Sequence, residues 1–172
     1  MPTYVALLRA VNVGGRSSVP MPQLRAAVES LGHTGVKTYI QSGNLIFTSA
    51  RKVTPASLED LIAATFGVES AVMLRTPAQL AAALAANPFP QADPSRLHIG
   101  FMSTKAPAAA LAALDGERFL PEQFSIRGTE IYLHLTTGMG TAKLPAYLGR
   151  ALKVPTTIRT WRTVVTLAEM AG

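Results

Sequence analysis

The sequence predicts an α+β protein built from two tandem βαββαβ units. The prediction rests on a repeated order of apolar strand-length runs and helical stretches, a proline-rich break near the middle, and a hairpin signal in each half. In the first half, Thr3–Val11 is a near-continuous apolar run broken by Arg9 and reads as a buried central strand. Residues 12–20 form a turn-rich loop. Met21–Leu31 places Leu24, Val28 and Leu31 at helical spacing, with Gly32 as its stop. Val36–Gln41 and Leu45–Ser49 read as strands around Ser42, Gly43 and Asn44. Thr54-Pro55 opens a helix that runs to Phe66, and Glu69–Arg75 reads as the last strand.

A connecting helix from Thr76-Pro77 to Ala86 is broken by Asn87-Pro88-Phe89-Pro90, so the expected domains are 1–86 and 87–172. The second half reads as strand Leu97–Met102, helix Pro107–Leu114, strands Gln123–Arg127 and Glu130–Leu135, helix Leu144–Leu152, strand Thr156–Trp161 and a closing helix Val164–Met170. A βαββαβ unit folds as a ferredoxin-like split βαβ, with helices on one face of a four-stranded antiparallel sheet.

The chain of 172 residues contains no cysteine, which excludes disulfides, thiolate metal sites and cysteine nucleophiles. Mean hydropathy is +0.25, yet no apolar run approaches the ~20 residues that span a bilayer. No signal peptide is legible, and the expected location is the cytoplasm without a membrane partner. The net charge of +6 suits an anionic partner, either a phosphate-containing small molecule or a nucleic acid. No cofactor or metal site is expected. His98, Tyr132 and His134 are placed on one face of two neighbouring strands, without the spacing of a metal site. His33, after the helix-stop Gly32, reads as a surface residue.

The candidate anion site is the loop after the first strand together with its approach: Arg9, Asn12, Gly14, Gly15, Arg16 and Ser17. Glycines there free backbone N–H groups to form an anion-binding nest. With the first and third strands read as parallel neighbours, the loop after the third strand, carrying Arg51 and Lys52, leaves the same sheet edge and joins the site. On the same reading the Ser42–Asn44 turn lies at the opposite end. Arg9, amid apolar residues, is expected to be buried against a partner. A secondary candidate combines Lys143, at the end of a Gly138-x-Gly140 loop, with Arg159 and Trp161. Those two are expected to share a strand face with Thr157 and Thr163 as a stacking platform. The expected function is binding of an anionic ligand; the rivals are an enzyme acting on a phosphorylated or carboxylated metabolite and a structural, oligomeric protein.

Three stretches also resemble a known family. They are Tyr4-x-Ala6-Leu7-Leu8-Arg9-x-Val11-Asn12-Val13-Gly14-Gly15, then Thr38-Tyr39-Ile40-Gln41-Ser42-Gly43-Asn44, and last Thr157-x-Arg159-x-Trp161-x-Thr163-Val164. In order and wording they look like the signatures of the mostly bacterial family called domain of unknown function 1697. The resemblance implies tandem ferredoxin-like units and implies no activity, because none is established for the family. The chain departs from the family pattern at Ala10, where the family carries Gly, and at Thr160, where it carries Asn.

Overall fold

The computed structural model describes residues 1–13, 15 and 17–172. The chain divides into one unit of Met1–Ala82 with Thr166–Gly172 and a second of Ala83–Val165. Each contains a four-stranded sheet whose neighbouring strands are all antiparallel.

In the first unit the elements are β1 (Thr3–Leu8), α1 (Met21–Ser30), β2 (Thr34–Tyr39), β3 (Asn44–Thr48), α2 (Pro55–Phe66) and β4 (Val72–Arg75), with sheet order β2-β3-β1-β4. Thr54 caps α2 by accepting the Ser57 N–H, and Pro55 takes a first-turn position where no donor is lost. Gly67 ends the helix in the left-handed region at φ +66°. Alternate residues of the strands, Ala6 and Leu8 with Leu45, Phe47 and Val72, meet Leu24 and Val28 of α1 and Leu58 and Ile62 of α2 in one core. Val5, Leu7, Ile46 and Met73 point to the other face and are buried as well, which is why these strands read as unbroken apolar runs.

Helix α3 (Pro77–Ala85) leads to a short 3-10 turn at Pro94–Arg96 that the sequence reading did not anticipate. Then come β5 (Leu97–Met102), α4 (Ala108–Ala112), β6 (Gln123–Arg127), β7 (Glu130–His134), α5 (Leu144–Ala151), β8 (Thr156–Thr160) and α6 (Trp161–Ala171). The second sheet has the order β6-β7-β5-β8. Its core joins Met102, Ile131, Leu133 and Leu135 to Leu144, Leu148 and Leu152.

Several expectations are corrected here. β1 stops at Leu8, and Arg9 is exposed rather than buried: the chain bends there, with the Arg9 N–H donating to the Ala71 carbonyl and its own carbonyl accepting from Ser70 Oγ at 2.7 Å. Trp161 is not a strand residue. Thr160 Oγ1 accepts the Thr163 N–H at 3.2 Å and so caps α6, which places Trp161 and Thr163 on a helix and leaves Thr157 and Arg159 alone on the strand face. His98 stands opposite Leu133, whereas Tyr132 stands opposite Ile99 and His134 opposite Leu97. Residues paired directly across a ladder share a face, so His98 lies on the other face from Tyr132 and His134.

Candidate functional site

β1 and β3 run antiparallel, with Thr3 opposite Thr48 and Leu7 opposite Asn44. The loop after β1 therefore leaves the sheet at the end where β3 begins, and the Arg51–Lys52 loop leaves at the other end. The expected convergence of these two loops fails for that reason. The same register brings the β2–β3 turn to the loop after β1, the reverse of the sequence-based placement.

The junction is built on Asn12. Its Nδ2 donates to the Val19 carbonyl at 2.9 Å and to the Gln41 carbonyl at 2.8 Å, while its Oδ1 accepts the Val19 N–H at 2.8 Å. One side chain thus closes the β1–α1 loop and ties it to the turn. Across the junction, the Leu8 N–H donates to the Gly43 carbonyl at 2.9 Å. Asn44, fully buried, donates to the Tyr39 carbonyl and to Ser42 Oγ, both at 2.9 Å. A buried amide needs these partners, since leaving it without them costs about 1–3 kcal/mol. Gly43 is required twice over. Its φ is +90°, and a Cβ there would stand 2.7 Å from Val11 Cγ2 and 2.8 Å from Leu8 Cβ.

This end of the sheet is strained. Ala10 (φ +56°), Asn12 (+55°), Ser17 (+52°) and Ile40 (+49°) all occupy the left-handed region, together with Gly15 and Gly43. Asn tolerates that region, but a β-branched residue such as Ile40 is a true outlier in it. Two apolar side chains at this end are exposed, Val13 at 63% and Ile40 at 51%. Ile40 lines a cleft of about 400 Å³ together with Met21, Pro22, Arg25, Thr38 and Gln41. Arg25 pairs only loosely with Glu29 (3.3 Å), and both side chains are about half exposed.

Of the primary candidates, Arg9, Asn12, Gly15 and Ser17 lie on this loop; Gly14 and Arg16 lie outside the described residues. Arg51 and Lys52 stand at the opposite end of the sheet, where Arg51 Nη2 donates to the Leu31 carbonyl at 2.6 Å. There they line a separate cavity with His33. His33 is buried with 8% exposure, not a surface residue, and its ring packs 4.8 Å from that of Phe47. The sequence held a signal for this. Gly32 (φ +90°) donates to the Glu29 carbonyl in a helix-ending turn, and the residue after such a glycine commonly packs back on the structure.

In the second unit, β5 and β7 are antiparallel, so Lys105 and the 136–143 loop lie at opposite ends of their sheet. Lys143 is exposed at the start of α5. It lies at the sheet end where β8 closes, and Trp161 is half-buried at that same end. Arg159 is buried; its Nη1 donates to Thr157 Oγ1 at 2.6 Å and to the Ile158 carbonyl at 3.1 Å. Desolvation lowers its pKa to about 10, which leaves it charged at neutral pH. Among the described residues, no cluster of His, Asp or Glu is placed to hold a metal ion, and no helix is long and apolar enough to cross a membrane.

The residues that meet at the Asn12 junction belong to two of the stretches that carry the family resemblance. A family model described as "Protein of unknown function (DUF1697)" matches residues 1–132. The chain belongs to this family. The match includes both stretches at the junction, while the third, at 157–164, lies beyond it. The fold is also that of a conserved bacterial protein, SP0830, from Streptococcus pneumoniae. The two are 25% identical, with a TM-score of 0.70 over 99% of each chain. No curated protein matches.

Proposed function

We propose that this DUF1697 member is a binding protein for an anionic ligand, and that it binds at the Asn12 junction. The observation that carries the reading is the strain at Ile40. Left-handed backbone costs an L-residue about 1–2 kcal/mol, and strain of this kind persists where surrounding structure enforces it, most often at ligand-binding elements. Here the Asn12 and Asn44 side chains hold the Gln41 and Tyr39 carbonyls on either side of Ile40, and Ile40 is kept in the wall of the Arg25 cleft. Apolar walls next to a half-exposed guanidinium suit a ligand with an acidic group on an apolar or planar body. The net charge of +6 favours the same sign of partner. Each half is read here as a ferredoxin-like unit. Support comes from the repeated strand orders β2-β3-β1-β4 and β6-β7-β5-β8, with α1 and α2 packed on the first sheet and α5 on the second.

The test is a thermal-shift screen of phosphorylated metabolites, carboxylated metabolites and a short single-stranded oligonucleotide, since binding to the native state raises apparent stability. Hits should lose their effect in Ile40→Gly and weaken in Arg25→Ala. An oligonucleotide hit would fall steeply with added salt, a small-molecule hit much less. Hits that survive both substitutions unchanged, or the absence of any anionic hit, would defeat the reading.

A further inference from the structure

At the other end of the first sheet, the end of α1 and the start of α2 frame a cavity of about 260 Å³, lined by Leu31, His33, Arg51, Lys52, Val53 and Ser57. We propose that it binds the phosphate of a small phosphate monoester. The proposal does not rest on the Asn12 junction and stands or falls by separate variants.

The charge pattern carries the first part of the argument. Arg51, Lys52 and His33 share this small wall, and no carboxylate pairs with Arg51 or Lys52 among the described residues. The Arg51 and Lys52 charges, gathered without an acid, repel one another, and a bound dianion removes that repulsion. Arg51 is held in place: its guanidinium donates to the Leu31 carbonyl at the end of α1, where the helix dipole favours a cation. The rest of its fork is left to a ligand oxygen.

His33 carries the second part. More than nine-tenths of the residue is buried, it lines the cavity, and neither ring nitrogen has a hydrogen-bond partner among the described residues. The ring nitrogens are not among the fully enclosed polar atoms, so they stay open to the cavity and free to meet what it binds. Burial and the neighbouring Arg51 charge hold its pKa below the ordinary value, which favours the neutral ring. A dianion beside it would raise that pKa and draw a proton onto the ring. The start of α2 adds positive potential of its own. Ser57 contributes no donor, because its hydroxyl already donates to the Thr54 carbonyl at 2.7 Å. The volume admits one phosphate and a few further atoms, which favours a small monoester over a polymer backbone.

The experiment follows the His33 ring resonances by NMR during titration with inorganic phosphate, glycerol phosphate, a dinucleotide and succinate, with chloride holding ionic strength constant. Expected are saturable shifts with phosphate and glycerol phosphate, weaker effects of the dinucleotide and succinate, and a rise in the His33 pKa on binding. Lys52→Ala should weaken phosphate binding roughly tenfold, the equivalent of losing one charge-assisted contact. Arg51→Gln should weaken it at least as much, and the Lys52 variant covers the case in which loss of Arg51 loosens the α1 end. Ile40→Gly should leave this titration unchanged. A His33 ring that does not respond at tens of millimolar phosphate, that responds equally to chloride, that prefers succinate, or that responds unchanged in Lys52→Ala would overturn the proposal.

Discussion

Ala10 and Ile40 show what single residues cost at the junction. Both sit in the left-handed region, where only glycine is at ease. The family pattern has Gly where this chain has Ala10, and φ +56° supplies the physical reason for that Gly. Ala10→Gly should therefore stabilise the protein. The relief of about 1–2 kcal/mol is partly offset by the added freedom of glycine in the unfolded chain, for a net gain of about 0.5–1 kcal/mol by denaturant titration. Ile40→Gly should do the same, because a side chain 51% exposed gives up little burial. A gain of 1 kcal/mol corresponds to a Tm rise of about 2–4 °C at this chain length. A fall in stability for both variants would show that the backbone relaxes at no cost and that no strain is stored. Gly43→Ala is the opposite case. Its Cβ would meet Val11 and Leu8, each only 1% exposed and unable to yield, on top of an unfavourable φ. A loss above about 2 kcal/mol is expected.

At the scale of elements, Thr160 accounts for the other departure from the family pattern. Its hydroxyl caps α6 by accepting the Thr163 N–H, and Asn is an equally good cap. Thr160→Asn should change stability by no more than a few tenths of a kcal/mol, whereas Thr160→Ala should cost about 1 kcal/mol. An equal cost for the two would mean that the hydroxyl does something other than cap. This cap also marks where the sequence stopped being legible. Period-two spacing of Thr157, Arg159, Trp161 and Thr163 looks like a strand, and only the capping geometry shows that the chain turns helical at Trp161. Most elements were readable, because Pro55, Pro77, Gly32 and Gly67 punctuate them and apolar residues alternate correctly. The site was less so. Asn12 and Gly15 were legible as residues of the loop after β1, but the sense of the β1–β3 pairing decides which loops meet. That sense follows from topology and not from any local pattern. His33 was missed because a histidine after a helix-stopping glycine looks exposed until the sheet it folds onto is known.

At the scale of the molecule, each unit buries a histidine. His33 in the first and His98 in the second are 8% and 5% exposed. Burial lowers the pKa of both, assisted at His33 by Arg51 and opposed at His98 by the Arg96 backbone. His98 Nδ1 has no hydrogen-bond partner among the described residues, so protonation there would place a charge beside Leu133 in the sheet with little but the Arg96 backbone to stabilise it. Above the ordinary value of 6.5 both histidines are neutral whether the chain is folded or not, and they add no pH dependence. As the pH falls below it, the unfolded chain takes up protons that the folded chain resists. Stability must then decline until the lowered folded-state values are reached. The measurement is denaturant unfolding from about pH 7.5 down to about pH 5, a window that brackets the ordinary histidine value. Wild type should lose stability steadily on the acid side. His98→Leu fills the site with an apolar side chain of similar size and should flatten part of that slope while remaining folded, and adding His33→Phe should flatten it further. Carboxylates that titrate at lower pH contribute equally to all three proteins and cancel in the comparison. Parallel acid limbs for wild type and the double variant would show that neither histidine resists protonation in the fold.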